Sequence, residues 1–169
     1  MASINEIIDE VATSIGRELN YEFNFSELSV PAAERTSSTQ AWDLYQKARY
    51  EGSKVIGAEP PVVREYLEEA IKLDSLFYAA YDALGYYYLS QYTWDGEMTD
   101  DFEENIEKAQ ALFEFVIQKE PSYGMPYLHL ALSRIWYEQD LEAYALYLKG
   151  VELTPEKRGS GNLFLPALP

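Results

Sequence analysis

The chain has 169 residues, 47% of them hydrophobic and 25% charged, the proportions of a globular domain with a substantial core. Its 29 acidic against 13 basic residues give a formal charge of −16, which repels a phosphate backbone or an anionic membrane surface, so no nucleic acid and no membrane are expected as partners. With no cysteine, disulfides, thiolate metal sites and cysteine nucleophiles are excluded.

In chain order, the first predicted element is an amphipathic helix over residues 1–20, in which Ile4, Ile7, Ile8, Val11, Ile15 and Leu19 recur at helical spacing and Ser3 with Glu6 forms a capping-box pattern. Met1 to Leu19 has neither a basic leader nor a continuous apolar run, so it reads as neither a signal peptide nor a membrane span, and a cytoplasmic setting is expected. Residues 21–40 read as an extended segment, alternating aromatic and polar at Tyr21, Phe23 and Phe25, followed by a linker of small and polar residues.

A helix is predicted from Ala41 to about Val55, with apolar or small residues at Ala41, Leu44, Tyr45, Ala48, Gly52 and Val55 and Ser38 or Thr39 as its N-cap. Pro61 then opens a second helix with the face Val63, Tyr66, Leu67, Ala70 and Ile71, ending near Asp74. The next two run from about Leu76 to Tyr92 and from about Asp101 to Lys119, the latter capped by Thr99 or Asp100 and acidic at its positive end. A last pair covers roughly Ser122 to Glu138 and Leu141 to Leu153, and the tail, residues 156–169, reads as non-helical from its glycines and prolines.

Two of these stretches carry one spaced set of residues. The first reads Tyr81, Leu84, Gly85, Tyr88, Ala109, Phe113, Pro121; the second reads Tyr127, Leu130, Ala131, Ala143, Tyr147, Gly150, Pro155, and the two prolines are 34 residues apart. The logic is steric: paired helices pack closely where a small side chain on one admits a bulky side chain of the other, and proline ends the second helix because it lacks the amide that would continue it. This period and pattern resemble the tetratricopeptide repeat. The resemblance implies an all-α, right-handed helical solenoid of about three helix hairpins over residues 41–155, with repeats at about 41–77, 78–123 and 124–157. Ser75 stands where the first unit's terminal proline is expected, so that unit is degenerate, and the second is lengthened to 46 residues between Tyr78 and Tyr123.

Three linking pieces narrow the resemblance. Ile4 to Ala12, Ala41-Trp42-Asp43-Leu44-Tyr45 with Ala48-Arg49-Tyr50, and Ala70-Ile71-Lys72-Leu73-Asp74 with Ala79-Ala80-Tyr81 are similar to the region that follows a TolB amino-terminal-like domain in bacterial nucleotide cyclases, CadC-like transcriptional regulators and kinases. The catalytic, kinase and DNA-binding parts of those regulators have no counterpart here, so the implied role is that of a regulatory piece or a small relative.

For chemistry, the sequence offers little. His129 lies between Leu128 and Leu130 with no cysteine in the chain and is expected to be structural. The acidic run Asp95, Glu97, Asp100, Asp101, Glu103, Glu104, Glu107 misses the glycine and the final glutamate of a calcium loop. No phosphate loop, serine elbow or metal-binding helix is visible, so the chain is expected to be no enzyme and to hold no cofactor.

Binding is the better expectation, because stacked helix pairs leave a concave surface lined by the first helix of each pair. The repeat's groove positions fall on Asp82, Tyr86 and Leu89 in the second unit and on Leu128, Leu132 and Ile135 in the third. This largely apolar lining suits a hydrophobic or aromatic segment of a protein or peptide partner, unless the chain's own ends cover it. The alternative is a structural or self-association element of a larger signalling protein, as a homodimer through the N-terminal helix stripe.

Overall fold

The structure, a computed structural model, describes residues 34–54, 59–91, 101–135 and 143–154. The expected N-terminal helix, the extended segment through residue 33, the insertion at 92–100 and the C-terminal tail lie outside the described residues. Within them the fold is all-helical: α1 (Thr39–Gly52), α2 (Pro61–Leu73), α3 (Tyr78–Leu89), α4 (Phe102–Lys119), α5 (Gly124–Ser133) and α6 (Tyr144–Leu153), with no strand.

The starts of α1 to α4 have local causes. At α1 the Ser38 hydroxyl accepts from the Ala41 amide at 3.1 Å, the expected side-chain cap. At α2, Pro61 occupies the first helical position, where its missing N–H and fixed φ carry no penalty. The turn into α3 is closed by Asp74, whose Oδ1 accepts from the Leu76 amide at 3.0 Å. At α4 the start differs from expectation: the cap position is Asp101, and its side chain makes no capping bond. Glu103 and Glu104 in the first turn favour the positive helix end instead.

The helix ends follow from the residues just beyond them. α3 stops at Leu89, short of Tyr92, because the next two side chains compete for its last carbonyls. The Ser90 hydroxyl donates to the Tyr87 carbonyl at 2.8 Å, and the Gln91 amide donates to the same carbonyl at 3.2 Å and to that of Glu59 at 3.1 Å. α1 closes at Gly52, where the Ser53 amide reaches back to the Arg49 carbonyl. α4 closes one residue before Glu120, and Pro121 follows.

The helices pack most extensively as the pairs α1 with α2, α3 with α4 and α5 with α6, with lesser contact between α2 and α3 and between α4 and α5. Two close approaches show what the small residues do. A Cβ placed on Gly85 of α3 would sit 2.5 Å from Phe113 Cε1 of α4, and one on Gly150 of α6 would sit 2.6 Å from Leu128 of α5. Bare glycine lets each bulky partner reach the opposite backbone, and both Phe113 and Leu128 are fully buried.

One core cluster joins Tyr45, Leu67, Phe77, Leu84 and Val116 across α1 to α4, and a second joins Ala109, Phe113 and Leu130 between α4 and α5. The second and third pairs also repeat a hydrogen bond: the Tyr81 hydroxyl donates to the Ser75 carbonyl and that of Tyr127 to the Pro121 carbonyl, both at 3.3 Å and six residues back. Ser75 thus supplies the same acceptor as the proline it replaces, since a carbonyl is common to both.

Candidate functional site

The odd-numbered helices share one polar feature. Asp82 of α3 and His129 of α5 are 5% and, for the imidazole, 12% exposed, and Asp82 Oδ1 lies 2.9 Å from His129 Nδ1. With the carboxylate oxygen as acceptor, Nδ1 is the donor of this bond. The rings of Tyr86 and Phe113 hold the imidazole from two sides, with centroids 5.2 and 5.4 Å from it. Tyr86 is 49% exposed, so the buried pair ends at a surface aromatic.

Around this pair stand two buried phenols. Burial, as the main cause, pushes the Tyr45 hydroxyl on α1 well above the usual tyrosine range; Arg49 opposes the shift, and the carboxylates of Glu34 and Asp82 add to it. Tyr123, which precedes α5, is likewise raised well above that range by burial first and then by Asp82, Tyr45 and Glu34, again against Arg49. Glu34, Tyr45, Arg49, Asp82 and Tyr123 therefore share one electrostatic neighbourhood across α1, α3 and the start of α5. The Arg49 guanidinium lies 5.8 Å from the Tyr45 ring centre and is itself exposed.

The residues expected to line a groove are placed as follows. Tyr86 is at the surface, Leu89 and Leu132 are half-buried, and Ile135 is 9% exposed. Asp82 is engaged by His129, and Leu128 points into the α5–α6 contact against Gly150, with 1% exposure. Sequence reading did not place His129, Tyr45, Arg49 or Tyr123 beside them. For Tyr45 and Arg49 a signal existed: aligning Ala48 with Gly85 puts them in register with Asp82 and Tyr86. For His129 there was none, because its carboxylate partner is 47 residues away.

Chemically, the arrangement offers one guanidinium and a half-exposed phenol beside a buried imidazole–carboxylate pair. Among the described residues no three His, Cys, Asp or Glu side chains converge as metal ligands, and no helix is long and apolar enough to cross a membrane. Comparison with family models, with curated proteins and with solved structures finds no match for this chain.

Proposed function

We propose that the chain is a tetratricopeptide-like solenoid of three helix hairpins, non-catalytic, that binds an extended peptide or protein segment on the face shared by α1, α3 and α5. Supporting the repeat reading are the matched residue spacing of the second and third units, the preference for packing within successive pairs, and the repeated tyrosine-to-carbonyl hydrogen bond. The observation that carries the binding reading is Tyr86: a large ring left half-exposed while the pair beneath it, Asp82 and His129, is buried and mutually satisfied. Tyrosine anchors binding surfaces well because it adds contact area at small entropic cost and keeps a polar tip.

The partner would be a segment with an aromatic or aliphatic anchor for Tyr86 and Leu132 and an acceptor group for Arg49. The resemblance of the linking pieces to bacterial cyclases, CadC-like regulators and kinases favours a signalling role in the cytoplasm. Selection of random peptides on the immobilised full chain tests the reading. Enriched peptides should carry aromatic or aliphatic anchors, and their affinity should fall by about ten-fold or more with Tyr86→Ala, the cost of a lost anchor. Glu69→Ala, exposed on α2, should leave it unchanged. Failure to select any peptide, or affinity indifferent to Tyr86→Ala, refutes it.

A further inference from the structure

The two ends of the helix array are finished differently. In the odd-numbered helices, the register that matches Ala48, Gly85 and Ala131 places Asp43 with Ala80 and Pro126, and Lys47 with Leu84 and Leu130. The α3 and α5 members are buried, whereas Asp43 and Lys47 are exposed and pair with each other at 2.6 Å. The α1 end is thus polar, as the outer face of a terminal repeat needs to be. At the α6 end the pattern is reversed. Val63, Ala109 and Ala143 share one buried position of the even-numbered helices, and in that register Arg64 and Gln110 correspond to Tyr144, and Glu68 and Glu114 to Leu148. Glu114 meets Arg134, at the end of α5, at 2.6 Å, so its position faces the following pair. In α6, the last described helix, both polar positions are apolar or aromatic: Leu148 is 52% exposed, and the Tyr144 and Tyr147 rings stack with centroids 6.0 Å apart. Val151, one turn on, completes that face.

We propose that this face binds the same face of a second copy of the chain, α6 against α6 about a two-fold axis; this rests on the repeat register and not on peptide binding at Tyr86. Charge favours that occupant. Copies of a chain of charge −16 repel one another, and the repulsion is weakest where the surface is neutral. On α6 the only charges are Lys149 and Glu152, and they pair with each other at 3.0 Å. The face is also self-complementary: an antiparallel crossing centred between Tyr147 and Leu148 sets Tyr144 of each copy against Val151 of the other, and Tyr147 against Leu148. Each ring then meets an aliphatic side chain. Stacking α6 on the α1 end of another copy would instead bury Asp43 and Lys47, at the desolvation cost of two charges. The contact therefore closes as a dimer and does not grow into a filament.

Sedimentation velocity on the full chain over a range of concentrations tests the inference, with circular dichroism confirming the helical fold of each variant. Wild type should form a concentration-dependent dimer. Tyr144→Gln with Leu148→Glu, which installs the residues of α4 at those positions, should weaken dimerisation by about ten-fold or more, as loss of central apolar contacts does. Ile7→Asp with Ile8→Asp, in the N-terminal stripe, should leave it unchanged. The absence of cysteine supplies a second readout. Leu148→Cys lies close to the two-fold axis, so on oxidation it should give a covalent dimer about ten-fold faster or more than the control Glu69→Cys. Should the double variant fail to fold, the cross-link decides alone. A strict monomer, a dimer indifferent to the changes in α6 or abolished by those at Ile7 and Ile8, growth beyond two copies, or equal cross-linking at the two cysteines would each overturn the inference. Peptide selection reads the Tyr86 face, so a strict monomer would remove the inference and leave the binding reading standing.

Discussion

Gly85 and Phe113 show how little freedom single positions have in this packing. A methyl at Gly85 cannot be accommodated unless the buried Phe113 ring moves. Gly85→Ala should therefore cost about 1–3 kcal/mol, the usual penalty of overpacking. Urea denaturation checks it, and the added change Phe113→Leu should recover part of the loss; an unchanged midpoint for Gly85→Ala would contradict the packing. At the polar pair, Asp82→Ala leaves the His129 imidazole without its partner and should cost about 1.5–3 kcal/mol, the range for hydrogen bonds to a charged group. A double-mutant cycle with His129→Ala should return a coupling energy of about 0.5 kcal/mol or more, whereas simple additivity would mean the two side chains do not interact.

Among the elements, α1 and α4 make a controlled comparison of helix starts. Ser38 caps α1 through its side chain and Asp101 at α4 does not. Ser38→Ala should destabilise the fold by about 0.5–2 kcal/mol. Asp101→Ala, which removes no capping bond, should stay within about 0.5 kcal/mol of wild type, as surface changes do. Thermal denaturation of the two variants distinguishes them, and equal losses would mean that the side-chain cap is not what stabilises α1. The helix boundaries were legible in sequence to the extent that they are local: Pro61 opening α2, Ser38 capping α1 and Lys119 closing α4 stand where expected. The end of α3 was not, because the apolar spacing continues past Leu89 while the hydrogen bonds of Ser90 and Gln91 stop it, one of them reaching Glu59 before α2.

For the whole molecule, the buried phenols set the response to alkaline pH. A hydroxyl whose ionisation is raised in the folded chain keeps its proton there while the unfolded chain loses its own, from about pH 10 upward. The unfolded state then binds fewer protons, so stability falls as pH rises through that range, and below it neither state changes. Tyr45 and Tyr123 both act in this direction. Tyr45→Phe should accordingly lose less melting temperature than wild type between about pH 9.5 and about pH 11. Parallel loss in the two proteins would show that Tyr45 is not buried as described. Glu59 works in the acid range with the same sign, since burial raises its carboxyl and stability falls as pH rises through the carboxylate range.

Helical class and the positions of small against bulky residues follow from near-neighbour chemistry: period, caps, prolines and side-chain size, all written along the chain. Gly85 is marked as a close-approach site by the sequence alone, because a repeated spacing fixes where two helices must touch. The polar centre of the odd-numbered helices had no such signature. Asp82 meets His129 and Tyr45 shares a field with Tyr123 only after successive pairs have packed, and Leu128, in register with Asp82, turns inward because Gly150 leaves room for it. Which member of a repeated position meets solvent is settled by what the neighbouring helix presents, and that neighbour lies tens of residues away.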